Sequence, residues 1–154
     1  MAKGFKDWDV PISISSQELD EIISRPKYGS AQLGEYEDTI TIDPVISLLS
    51  VSGTGMIYGG YLTIFTASSS LTALFKIIID GTTLFNLTLR DVVDININKE
   101  NSYVAYSLLI DEAEFEYSLA ISRGITFESS IQFLFRRTPG LDSTVRLKIF
   151  YAVI

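Results

Sequence analysis

Asp111, Glu112, Glu114 and Glu116 form the densest acidic cluster of the chain. Carboxylates spaced i to i+2 along a strand lie about 6.5–7 Å apart, a separation that suits a glycosidase acid/base pair or the oxygen shell of a hard cation. Arg136, Arg137, Arg146 and Lys148 occur on late segments able to neighbour this one, so cross-strand ion pairs on a solvated face are the plainer expectation. Asp94-x-Asn96-x-Asn98 copies the opening of a calcium loop, whose alternate oxygens converge on one ion. The copy then fails: Lys99 stands where the sharp turn needs glycine, and Ala105 where a bidentate glutamate closes the shell. Ile95 and Ile97 suit a strand with one apolar face better.

The chain contains no histidine and no cysteine. That removes the commonest general base, the commonest transition-metal ligand, disulfides and thiolate chemistry. No Gly-x-Ser-x-Gly elbow and no Walker loop occurs, and Gly53-x-Gly55 lacks the third glycine and following helix of a dinucleotide fingerprint. A Ser–Lys or carboxylate-only enzyme is all that remains formally. No catalytic residue, metal ligand or cofactor is assigned, and the expectation is a protein that is not an enzyme. Eight tyrosines, among them Tyr58, Tyr61, Tyr103, Tyr106 and Tyr117, offer an aromatic platform for sugars. Tyrosine is equally a normal strand and interface residue, with an apolar ring and a polar tip, and core or subunit contact is favoured.

These residues belong to a chain of 154 residues, of which 47% are hydrophobic, enough for one domain with an appendage. So apolar a composition is most simply relieved by homo-oligomerisation. The net charge of −7 opposes a general nucleic-acid binder, which neutralises phosphates with clustered Lys and Arg. Between Asp43 and Lys76 no residue is charged for 32 positions. The cleanest piece, residues 56–65, holds two glycines and a threonine and falls short of the roughly 20 apolar residues of a spanning helix, so membrane insertion is not expected. Strands covered by a second sheet on one face and a neighbouring subunit on the other account for the stretch. Met56, Ile57, Tyr58, Tyr61 and Ile64 are the expected oligomer interface. Charges occupy the first ten residues where a signal peptide needs a continuous apolar core, so the chain reads as made in the cytoplasm and not secreted by that route.

Residues 1–37 read as an N-terminal arm, with Pro11, Pro26, Gly29 and Gly34, many charges and short apolar pieces. Ser15 and Glu18 form a capping box for a short helix carrying Leu19, Ile22 and Ile23. Phe5, Trp8 and Tyr28 are the expected anchors of the arm on a partner. From residue 38 to 154 the pattern has period two. Strands are expected over 38–42, 45–51, 56–65, 92–97, 103–110, 114–121, 131–135 and 145–154, with a hairpin over 74–89 turning at Asp80-Gly81. In that hairpin Ile79 faces Thr82, Ile77 faces Leu84 and Phe75 faces Asn86. Gly59-Gly60 predicts a bulge or the close approach of another backbone. The sum is an all-β antiparallel sandwich, jelly-roll-like in strand count.

The arm segments Lys3-Gly-Phe-Lys-Asp-Trp-Asp9 and Arg25-Pro-Lys-Tyr-Gly29, followed by Ser50-Val-Ser-Gly-Thr-Gly-Met-Ile-Tyr-Gly-Gly60 and Ile77-Ile-Ile-Asp-Gly81, resemble small structural proteins of tailed bacteriophage virions. The resemblance implies a sandwich body in a capsid, neck, tail or fibre, with an arm that ties neighbours together. It implies a symmetric homo-oligomer in contact with other virion proteins, made in the host cytoplasm, and it assigns no binding residue. The alternative is a β-sandwich module that recognises a protein or a host-surface glycan through surface tyrosines.

Overall fold

The computed structural model describes residues 31–100 and 104–154. Among them lie ten strands and one helix: β1 (Gln32–Ile40), β2 (Ile46–Ser52), β3 (Gly55–Thr66), β4 (Leu74–Ile79), β5 (Thr82–Thr88), α1 (Leu89–Ile95), β6 (Ala105–Asp111), β7 (Glu116–Ile121), β8 (Ile125–Phe127), β9 (Ser130–Arg136) and β10 (Ser143–Val153). The anchors Phe5, Trp8 and Tyr28, the Ser15–Glu18 capping box and Tyr103 lie outside the described residues.

Alternating side chains force each strand to bury one face, and the chain meets this by laying two antiparallel sheets together. One sheet runs β1-β10-β3-β7-β6 with β8 also paired to β3, and the other runs β2-β9-β4-β5. Successive strands change layer at β1 to β2, β2 to β3, β3 to β4, β5 to β6, β8 to β9 and β9 to β10. This interleaving is the jelly-roll form of the antiparallel sandwich. β7 and β8 lie in series along β3, against its residues 60–65 and 55–57, and β6 adds an edge beyond β7.

Ile57, Leu62, Ile64, Tyr117, Leu119, Val145, Leu147 and Ile149 from the larger sheet meet Phe75, Ile77, Phe85, Ile131, Phe133 and Phe135 from the smaller, all fully or almost fully buried. Phe75 stacks on Phe133 with ring centres 6.4 Å apart and meets Phe85 at a tilt at 6.0 Å. Each such side chain contributes about 1.5–3 kcal/mol of burial, so the alternating positions hold the two layers together.

Several expectations are corrected. Residues 92–97 are not a strand: α1 and its exit occupy them, because Thr88 accepts the Asp91 N–H while the Asp91 carboxylate accepts the Thr88 N–H, a capping box that starts a helix. Leu89 and Val92 bury one face of α1, and Asn96 ends it in the left-handed conformation. The strand expected from residue 38 starts at Gln32, so residues 32–37 pair with β10. The hairpin turns at Asp80-Gly81, but Leu84 is skipped in the pairing, so Phe85 faces Ile77 and Leu87 faces Phe75. This bulge turns Phe85 into the core and leaves Leu84 exposed. Phe115 lies in the β6–β7 turn at φ 55 and not in β7.

Gly59-Gly60 serves both expected purposes. Gly59 has φ 131 at a bulge opposite β10, and a Cβ on Gly60 would stand 2.3 Å from the Lys148 carbonyl oxygen.

Candidate functional site

The outer face of the larger sheet is built from the residues of β3 that do not enter the core. Thr63 and Tyr61 point away from the smaller sheet, and antiparallel pairing extends each into a row across five strands. Glu37, Arg146, Thr63, Ser118 and Leu109 form one row, and Glu35, Lys148, Tyr61, Ala120 and Tyr106 the next. Thr39, Thr144, Phe65, Glu116 and Asp111 flank them on one side.

Charge divides these two central rows unevenly. On the β1–β10 side Arg146 binds Glu37 at 2.8 Å and Lys148 lies 3.8 Å from Glu35. The hydrogen bond that Arg146 donates to Glu37 pushes the Arg146 pKa further up. On the β3–β7–β6 side the two rows carry only Thr63, Ser118, Leu109, Tyr61, Ala120 and Tyr106. Leu109 is 42% exposed, and Phe65 on the adjoining row 37%.

Beside the tyrosine row the sheet dips into a shallow hollow of about 350 Å³. Tyr58, Gly59, Gly60, Tyr106 and Ala120 line it, and the exposed side chains of Glu100 and Arg123 stand at the rim. The rim charges are 3.5 Å apart, with Arg123 mostly exposed.

No family model matches the chain, and no curated protein matches it. The structure is similar to a chain of the capsid asymmetric unit of cyanophage Pam1, with TM-score 0.48 and 10% identity, covering 84% of this chain and 89% of that one. It is also similar to a chain of the acid-stable capsid of Helicobacter pylori bacteriophage KHP30, with TM-score 0.40 and 9% identity, covering 80% of this chain and 89% of that one. At TM-scores below 0.5 these likenesses by themselves assign no role.

The expected interface residues part company on β3. Met56, Tyr58 and Tyr61 are half-buried and belong to the outer side, whereas Ile57 and Ile64 are 0% and 1% exposed and fill the core. A strand's period of two makes this unavoidable, and a neighbouring subunit has no access to Ile57 or Ile64. Tyr117, counted among the platform tyrosines, is fully buried. Its hydroxyl donates to Glu112 and accepts the Ser70 N–H at 3.0 Å. Burial, and then the Glu112 bond, push its pKa above the ordinary tyrosine value.

The acidic cluster does not pair with the late arginines. Asp111 accepts the N–H groups of Ala113 and Glu114, each at 3.0 Å, and Glu112 accepts the Ser69 hydroxyl at 2.7 Å besides that of Tyr117. Arg137 instead binds Asp43 and Asp142, and Arg146 and Lys148 bind β1. Asp94 lies on α1, and Asn98 donates to Asn96 at 3.0 Å. No group of three or more acidic side chains among the described residues is placed to hold a metal ion.

Phe65, Leu109 and Tyr106 enter this surface through pairings that sequence reading missed. The outward parity of Phe65 follows from Tyr61 on the same strand, but joining Tyr61 to Tyr106 needs the order β3-β7-β6.

Proposed function

We propose that this chain is a non-enzymatic structural protein of a virion that assembles as a symmetric homo-oligomer and attaches to its neighbours through the N-terminal arm. The observation that carries the reading is the uneven outer face of the larger sheet. Its charged half is self-neutralised by Glu35, Glu37, Arg146 and Lys148, while the half over β3, β7 and β6 presents tyrosines, leucine and small side chains. Such a surface loses little by being desolvated against a second copy, since its two central rows bring no unpaired charge into the contact. Met56 and Tyr61 then belong to the interface. The turn carboxylates Asp111 and Glu112 are occupied in holding backbone and hydroxyl groups, which supports a role by contact rather than catalysis. Working by contact in a particle places the protein in the virion, beside other virion proteins, after synthesis in the host cytoplasm. No helix among the described residues is long and apolar enough to cross a membrane.

The test is the solution mass by light scattering on a sizing column, for the full chain, for Tyr61→Glu and for Trp8→Ala. A discrete oligomer that Tyr61→Glu reduces to monomer, with unchanged circular dichroism, is expected; a monomer for the parent chain overturns the reading. The second reading, a glycan-binding module, draws on the hollow between Tyr58 and Tyr106. Glycan-array binding by a monomer, lost in Tyr106→Ala, would favour it.

A further inference from the structure

The hollow lies at the end of the larger sheet from which the arm departs. β1 begins at Gln32, paired with Tyr151 of β10, and the preceding residue of β10, Phe150, lies beside Gly59 in the hollow. With strands about 4.8 Å apart, the start of β1 is only about 10 Å from β3. Thirty residues precede Ala31 in the sequence, and they include the sole tryptophan, Trp8. Extended, the chain from Trp8 to Ala31 reaches about 75 Å, so an arm leaving this edge can extend to the same hollow on an adjacent copy.

The chemistry of the hollow matches that segment. Gly59 brings bare backbone to the hollow, where a flat ring can lie without meeting a Cβ. Tyr58 and Tyr106 line it, and aromatic rings favour offset or edge-to-face contact with an indole. At the rim Arg123 is 78% exposed and, though 3.5 Å from Glu100, has an open face for cation–π contact with an indole. Trp8 is flanked by Lys6, Asp7 and Asp9, so both signs of charge are available to meet Glu100 and Arg123.

We infer that the hollow bounded by Tyr58, Gly59, Gly60 and Tyr106 seats Trp8 of a neighbouring copy's arm. This rests on the assembly reading and gives the arm its address. The sole tryptophan is its own reporter in the full chain. At concentrations where light scattering gives an oligomer, Trp8 emission should lie at short wavelength, with acrylamide quenching severalfold weaker than for free tryptophan. Tyr106→Ala and Arg123→Glu, each checked for an unchanged fold by circular dichroism, should red-shift the emission and restore quenching, as should dilution to monomer.

An oligomer whose Trp8 is fully quenchable, or shielded yet indifferent to both variants, overturns the assignment while leaving the assembly reading intact. Shielding that persists in the diluted monomer assigns the seat to the chain's own arm and overturns the exchange between copies. A hollow that binds added saccharide while Trp8 stays exposed overturns it in favour of a glycan. A monomer at every concentration defeats the assembly reading itself.

Discussion

Asp80 and Ser130 are hydrogen-bonded in both directions: the Asp80 N–H donates to the Ser130 carbonyl at 2.9 Å, and the Ser130 N–H donates to the Asp80 carboxylate at 3.0 Å. The same carboxylate accepts the N–H groups of Glu128 and Ser129, so the tip of the β4–β5 hairpin holds the entire turn between β8 and β9. Asp80 is also the residue whose φ of 50 forms the hairpin turn. One side chain thus sets a local turn and fastens a distant one.

The Glu128 N–H, followed by those of Ser129 and Ser130, lowers the Asp80 pKa to about 2. Its folded value lies below the unfolded value of about 3.9, so the ionised form stabilises the fold above about pH 4 and that contribution disappears as pH falls toward 2. Asp43 is shifted in the same direction, chiefly by the Gly140 N–H. Thermal unfolding followed by circular dichroism should therefore show Tm falling across this window, and falling less steeply in Asp80→Asn. Equal slopes for the two proteins would remove Asp80 from the acid response.

Gly60→Ala should destabilise more than Gly81→Ala. The new Cβ on Gly60 meets the Lys148 carbonyl oxygen at 2.3 Å and the Ile149 side chain at 2.8 Å, so β3 and β10 must separate. At Gly81, with φ +80, nothing lies within 4 Å and only backbone strain of about 1–2 kcal/mol opposes the change. Overpacking at Gly60 should cost at least about 2 kcal/mol. Chemical denaturation of both variants checks the ranking, which a smaller loss for Gly60→Ala would reverse.

Arg137 joins three segments, with Nε and Nη2 each 2.9 Å from Asp43 and Nη1 2.5 Å from Asp142. Its own side chain is 8% exposed but both partners face water. Removing it lets the carboxylates rehydrate, so Arg137→Ala should cost about 1–3 kcal/mol rather than the larger penalty of a stranded buried charge. Lysine cannot supply the fork, and Arg137→Lys should recover less than half of the loss in urea unfolding. Full recovery would mean that charge alone is what matters there.

Tyr117→Phe strands the Ser70 N–H, which the tyrosine oxygen accepts in the interior, and should cost about 1–3 kcal/mol. Because the folded pKa is raised, the hydroxyl contributes fully below about pH 10 and loses its effect as pH climbs through the folded value. The Tm difference between parent and variant should be constant from neutral pH to about 10 and shrink beyond it. A difference that shrinks below the ordinary tyrosine value would contradict the shift.

Legibility followed the range of the interaction. The Asp80-Gly81 turn and the alternation of Ile131, Phe133 and Phe135 were readable because turn chemistry and strand period are properties of adjacent residues. Thr88 and Asp91 carried the helix signal openly, yet the alternation of Ile95 and Ile97 with Asp94, Asn96 and Asn98 masked it; the capping box decides, since it satisfies N–H groups that a strand would have to pair elsewhere. The bulge at Leu84 was invisible, because it expresses tertiary packing: it brings Phe85 against Phe75 in the core and leaves Leu84 exposed.

By itself, the sequence determined an antiparallel β-sandwich body, a segment of 32 residues without charge, and the lack of histidine and cysteine chemistry. Local period, turn residues and composition suffice for these. The tertiary structure alone decided that Glu35 and Glu37 meet Lys148 and Arg146, that Ile57 and Ile64 face the core while Tyr61 faces out, and that Tyr58 and Tyr106 line one hollow. Those facts depend on strand order and register, which pair residues far apart in the chain by fitting two whole apolar faces together rather than by any preference of the residues themselves.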